Sequence, residues 1–212
     1  MKITLRQAAL VAALLGLIVG CSNDKTNQVQ VDLPIDRGSV NAGIGSSVTM
    51  RGAALPLSGT GIIEVGKPLP NAIVSSSELK PVNITDGNGK VRIISVVPSL
   101  DTPTCDKQTH ELSEENDGLD KHVELITISM DLPFAQSRFA KEAKISNVIF
   151  LSDYKNKTFG NNNGLLIEPL ALLTRAVIVA DKDNVVRYLQ IVPELTALPD
   201  MQAAMDAARA LL

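Results

Sequence analysis

The stretch VVPSLDTPTC, Val96 to Cys105, ends in a thiol, and the chain has only two cysteines among its 212 residues. A cysteine serves as a small core hydrophobe, a disulfide half, a metal ligand or a nucleophile. The residues around Cys105 are Asp101, Thr102, Thr104, Asp106 and Lys107, which are not core residues. The setting therefore favours a reactive thiol over a packing one. A zinc site lacks ligands, because the only histidines, His110 and His122, sit in or just after a charged segment and read as solvated. A Cys-His hydrolase pairing stays open on spacing alone, but it would need an orienting third group, and no residue in the sequence is marked as one. A disulfide reductase would carry a second cysteine three residues on, where this chain has Gln108.

The neighbouring elements explain what a thiol does there. Val91 to Val97 is a continuous aliphatic run of strand length, and a polar helix follows Cys105 toward Gly118. The thiol thus falls just past the end of a strand and at the start of a helix, where open α/β sheets place their chemistry. A helix N-terminus offers unpaired N–H groups and a partial positive charge, both of which favour a thiolate. Pro98 and Pro103 stiffen the connecting turn, and the Thr102 hydroxyl lies within reach of the sulfur or of an oxygen bound to it.

Further elements follow in order. VTMRGAALPLSG reads as a β-hairpin, and EVGKPLPNAIVSS as an entry loop with an edge strand. GNGK is a turn, too short for a phosphate loop. Val123–Met130 and Asn147–Ser152 read as strands on either side of a helix over PFAQSRFAKEAKI, with Phe134, Phe139, Ala143 and Ile145 at helical spacing. FGNNNGL reads as a flexible Gly/Asn-rich loop, RAVIVADKDNVVRYLQIV as an antiparallel hairpin, and PDMQAAMDAARALL as a closing helix with its Met and Leu side chains in the core. This order predicts an α/β fold, a mixed central sheet flanked by helices with a β-hairpin before it.

The first 20 residues are a targeting segment. Lys2 and Arg6 precede an apolar run from Ala8 to Gly20, too short to span a bilayer comfortably. The run ends in Ile18-Val19-Gly20-Cys21, which resembles the lipobox of bacterial lipoproteins and implies lipidation at Cys21. Losing Lys2 and Arg6 from 20 basic residues leaves 18 against 23 acidic ones, a net charge of −5. Residues 21–46 are polar and read as a tether with a span of roughly 25–30 Å. Residues 47–212 are the folded domain, anchored by lipid at the cell envelope on its periplasmic or extracellular side. Aromatic residues make up 3% of the chain and no basic run stands out, which argues against a nucleic-acid partner.

Pro98-Ser-Leu-Asp-Thr102-Pro-Thr-Cys105 resembles the Pro-x-x-x-Thr-x-x-Cys signature of the peroxiredoxins. PSLDTPTC, SMDLPFAQSRF and RAVIVADKDNVV together resemble the thiol peroxidase subfamily, over roughly Val48 to Leu212. The resemblance implies a thioredoxin-like fold and reduction of hydrogen peroxide and alkyl hydroperoxides with no metal or prosthetic group. It makes Cys105 the peroxidatic cysteine, Thr102 the hydrogen-bonding partner of the peroxide, and Pro98 the shield of the sulfenic acid. It makes Arg175, which alone reads as a surface charge at a strand end, the active-site arginine. It also implies a homodimer. The chain departs from the subfamily at Ala140, where the resolving cysteine would stand. With Cys21 lipidated, the expectation is a one-cysteine peroxidase whose sulfenic acid is reduced by an external thiol, a small molecule or a thioredoxin-like protein. A peroxide sensor or non-catalytic envelope lipoprotein is the alternative, and a Cys105–Cys105 link between chains a third route.

Overall fold

The computed structural model describes residues 33–86 and 89–212. Residues 1–32, with the expected targeting segment, Cys21 and the first part of the expected tether, and Gly87-Asn88 of the GNGK turn lie outside the described residues. The chain opens with a hairpin of β1 (Ser47–Met50) and β2 (Ala53–Pro56), then a second of β3 (Ile73–Ser75) and β4 (Pro81–Asn83). The αβ core follows: β5 (Arg92–Val96), α1 (Pro103–Glu114), β6 (Glu124–Ser129), α2 (Pro133–Glu142) and β7 (Val148–Ser152). A short helix α3 (Thr158–Asn163) leads to a small hairpin, β8 (Leu166–Ile167) and β9 (Leu172–Leu173). The chain closes with β10 (Ala176–Ala180), β11 (Val186–Ile191) and α4 (Met201–Arg209).

Seven strands form one mixed sheet in the order β11-β10-β5-β6-β7-β3-β4, with β5, β6 and β7 parallel and the remaining pairs antiparallel. Strand alternation sends successive side chains to opposite faces. On one face Ile93, Leu125, Phe150, Val177 and Val179 meet Leu112 of α1, Phe139 and Ala140 of α2, and Met205 of α4. On the other, Ile94, Val96, Ile126, Ile128 and Ile178 meet Phe159 of α3 and Val48, Leu57 and Ile63 from the N-terminal part. Both α1 and α2 begin at a proline, whose missing N–H costs nothing in the first turn. Phe134, one residue into α2, is exposed rather than packed.

Three expectations need correction. The tether ends before residue 46. Val40 N–H donates to Ile191 O at 3.0 Å, Asp36 N–H to Leu198 O at 2.9 Å, and the Gln190 amide to the Asp36 and Gly38 carbonyls. β11 is an edge strand, and this strap occupies backbone groups it would otherwise leave open. The segment FGNNNGL is ordered as α3, not a flexible loop. Asp153 accepts from the Phe159 and Gly160 N–H groups, and the Asn161 and Asn163 carbonyls accept from Thr60, Gly61 and Ile63. Gly61 permits that approach, since a Cβ there would sit 2.1 Å from the Asn162 carbonyl oxygen. Finally, β3 is not the sheet edge, because β4 pairs outside it.

Candidate active site

Cys105 is the third residue of α1, and its side chain is fully buried against Ile93, Val97 and Leu112. The polar sequence around it suggested otherwise, and Thr104 is buried as well. The physical reason is the helix: positions 104, 105, 108, 109 and 112 form the face turned to the sheet, while 101–103 and 107 face out. The ladder of α1 opens with Asp106 N–H donating to Thr102 O at 3.0 Å, so the N–H groups of Thr104 and Cys105 precede it. The sulfur therefore lies at the positive end of the helix dipole.

Arg175 comes to the same place from the neighbouring antiparallel strand. It precedes β10, which lies beside β5, and it is 2% exposed rather than a surface charge. Its Nη2 donates to Cys105 Sγ at 3.4 Å. Nε and Nη2 both donate to the Leu195 carbonyl, at 3.0 and 2.9 Å, and Nη1 to Gln108 Oε1 at 2.7 Å. Gln108 in turn donates to Ser95 Oγ on β5 at 2.8 Å. A planar guanidinium satisfies three acceptors at fixed angles, and with its positive charge in place it offers the sulfur a cationic donor.

Thr102 and Pro98 flank the thiol differently from one another. Pro98 is buried beside the loop, while Thr102 is exposed and its hydroxyl donates to Ser99 O at 3.2 Å, not to the sulfur. The loop itself is fixed by Asp131, which follows β6. Its carboxylate accepts from Ser99 Oγ at 2.7 Å, Leu100 N–H at 2.8 Å and Ser129 Oγ at 2.8 Å. Ala140 is half-buried on α2 against the apolar cluster that also holds Cys105. His110 pairs with Asp106 and Glu114 on the outer side of α1, and His122 is exposed. Cys105 is the only cysteine among the described residues, and no group of three or more His, Cys, Asp or Glu side chains converges there as a metal site.

Sequence reasoning did not reach Gln108, Ser95 or Asp131. Ser95 did carry a signal, being a hydroxyl inside an aliphatic strand, and Gln108 lies one turn beyond Cys105 on the same helix face. Nothing local marks Asp131 as a loop clamp.

The redoxin family profile matches residues 64–205. A thiol peroxidase of Halalkalibacterium halodurans is 44% identical over 167 residues, 79% of this chain and 99% of that protein. A thiol peroxidase of Staphylococcus aureus is 44% identical over 165 residues, covering 76% of this chain and 97% of its own length. Among solved structures, a peroxiredoxin-like protein from Aquifex aeolicus superposes with a TM-score of 0.73 at 34% identity, covering 80% of this chain and 99% of that one. A thiol peroxidase from Chromobacterium violaceum, at 23% identity and a TM-score of 0.69, shares the fold over 78% of this chain and 97% of its own.

Proposed function

The chain belongs to the redoxin family, among its thiol peroxidases, and on that premise we propose that it reduces hydroperoxides at Cys105 with electrons from an external thiol. The observation that carries this reading is the buried guanidinium of Arg175 donating to a buried thiol at a helix N-terminus. In the oxidative step the Cys105 thiolate attacks the terminal hydroxyl oxygen of the hydroperoxide. The O–O bond breaks, the sulfur keeps the hydroxyl as a sulfenic acid, and the alkoxide leaves and takes a proton from water. Arg175 stands where it can hold the sulfur anion and the charge growing on the departing oxygen. Thr102 orients the peroxide by turning its hydroxyl from Ser99 O, and Pro98 limits water at the sulfenic acid.

In the reductive half a first donor thiol displaces water from the sulfenic acid to form a mixed disulfide. A second donor thiol releases the Cys105 thiol and leaves as the donor disulfide. The donor must be external because the position after Phe139 is Ala140, and a lipidated Cys21 has no free thiol. The same reading holds the protein to the bacterial envelope through lipid at Cys21.

The test treats the chain from Ser22 to Leu212 with one equivalent of hydrogen peroxide and follows its intact mass, beside a Cys105→Ser control. The expected result is gain of one oxygen atom at Cys105, reversed by dithiothreitol, with continued peroxide loss while dithiothreitol lasts. An unmodified thiol, or oxidation without turnover, refutes the peroxidase reading.

A further inference from the structure

The Arg175 guanidinium is aimed by a carbonyl, Leu195 O, which takes both its Nε and its Nη2. Leu195 lies between β11 and α4, outside any helix or strand of its own, so its carbonyl is placed by what the loop is bonded to. The adjacent side chain supplies much of that bonding. Glu194 Oε1 accepts from Arg51 N–H at 2.9 Å, Thr196 N–H at 3.1 Å and Thr196 Oγ1 at 2.7 Å. Its Oε2 accepts from Thr49 Oγ1 at 2.7 Å and Gly52 N–H at 3.3 Å.

Two of these donors belong to the tip of the β1–β2 hairpin, where Arg51 and Gly52 both have positive φ, 53° and 81°. That turn type suits a two-residue hairpin, and it delivers its two N–H groups to the carboxylate. Backbone bonds reinforce the link: Leu195 N–H donates to Thr49 O at 2.8 Å, and Thr49 N–H to Pro193 O at 2.7 Å. The Thr104 hydroxyl, one residue before the thiol, reaches Thr196 O of the same loop at 3.5 Å.

We propose that Glu194 is a positioning residue for the peroxide step: by clamping the 193–196 loop to the β1–β2 hairpin, it fixes the Leu195 carbonyl that aims Arg175 at Cys105. The proposal rests on the reading of Cys105 as the thiol that attacks peroxide. It gives the N-terminal hairpin a part in the chemistry although none of its residues touches the sulfur. Five donors on one carboxylate leave the loop few alternative positions, and a shift of the Leu195 carbonyl moves two of the four hydrogen bonds of Arg175 at once.

The experiment uses the full chain in detergent and compares wild type with Glu194→Gln, Glu194→Ala and a control, Asp181→Asn. Asp181 clamps the β10–β11 turn in the same manner, accepting from the Asp183 and Val185 N–H groups and Arg187 Nε, and bonds nothing in the Cys105 network. Two rates are read by rapid quench and intact mass, Cys105 with hydrogen peroxide and Cys105 with iodoacetamide. A neutral alkylating agent needs access to the sulfur but leaves no oxyanion for Arg175 to hold. A loosened fold, or a smaller share of thiolate, therefore moves both rates together, whereas loss of the donor aimed at the leaving oxygen lowers the peroxide rate further and so lowers their ratio.

The expected result is a drop in the peroxide-to-iodoacetamide ratio of about tenfold for Glu194→Ala, the size of one charge-assisted hydrogen bond. Glu194→Gln, which keeps an acceptor oxygen, falls between, and Asp181→Asn stays within about twofold of wild type. An unchanged ratio in a folded Glu194→Ala overturns the proposal. If that variant does not fold, Thr49→Val, which deletes one donor to the carboxylate, carries the same comparison. A wild type whose Cys105 ignores peroxide removes the premise, and the proposal falls with it.

Discussion

Replacing Arg175 by lysine isolates what the guanidinium geometry contributes. The substitution keeps a positive charge but replaces a planar fork by one ammonium, which cannot meet Leu195 O, Gln108 Oε1 and Cys105 Sγ together at their fixed angles. Two losses follow. In the ground state at least one buried acceptor, Leu195 O or Gln108 Oε1, is left unpaired, which costs about 1–3 kcal/mol of stability. In the transition state the oxygen leaving the peroxide loses a preplaced charged donor. A hydrogen bond to a charged group is worth about 1.5–3 kcal/mol, so the attack slows by roughly 10- to 150-fold. Chemical denaturation reads the first loss, and a rapid-quench rate of sulfenic acid formation with hydrogen peroxide reads the second. Iodoacetamide alkylation of Cys105 should change far less than the peroxide rate. A folded Arg175→Lys that attacks peroxide within twofold of wild type would refute the assignment of Arg175 to the leaving oxygen and reduce it to a structural ion.

Two other perturbations test the surroundings. Ala140→Cys should turn the product of one peroxide equivalent from an oxygenated species into an internal disulfide, seen in intact mass as loss of two hydrogens; persistence of the oxygenated form would mean that α2 cannot bring this position to Cys105. Burial alone would push the Glu194 carboxyl up, but the Arg51 N–H, the Thr196 and Thr49 hydroxyls and the Thr196 N–H outweigh it and hold the group down to about 2 from 4.5. A depressed folded value means stability that is fully present above the unfolded value and lost as pH falls through the folded one. The stability gap between wild type and Glu194→Gln, from urea denaturation, should thus be constant above pH 4.5 and close toward pH 2, and a gap unchanged across that window would contradict the clamp.

Much of the domain was legible because its elements declare themselves locally. The aliphatic runs that became β5, β6, β7 and β10 read as strands by themselves, and the segments that became α1 and α2 read as helices without reference to the rest of the chain. What was misread depends on distant partners. The Asn-rich α3 is a helix because Asp153 caps it and Phe159 fills the core, while its asparagine carbonyls hold a segment some hundred residues upstream. The strap at 34–40 looked like a linker because mostly its backbone groups make the bonds, to Ile191 and the Gln190 side chain of an edge strand and to Leu198 beyond it, which composition does not record.

The same division runs through the site. The thiol and its helix start are written in eight consecutive residues, yet each group that positions them comes from far along the chain. Arg175 stands 70 residues from Cys105, and Asp131 stands 31 from the Leu100 N–H that it holds. Polar neighbours in sequence argued against a core cysteine, whereas helical periodicity turns Cys105 inward and leaves Asp101, Thr102 and Pro103 outside. Burial suits this chemistry, since a charged donor acts more strongly on an anion where water is excluded. Its cost is an unpaired polar group wherever the packing is imperfect, and here Arg175 is fully engaged by Leu195 O, Gln108 Oε1 and the sulfur. The thiol is thus a local feature, and its surroundings are a property of the tertiary frame: β5 and β10 bring thiol and guanidinium side by side, Asp131 holds the loop in front, and the hairpin bonds the 193–196 loop whose Leu195 carbonyl takes the guanidinium.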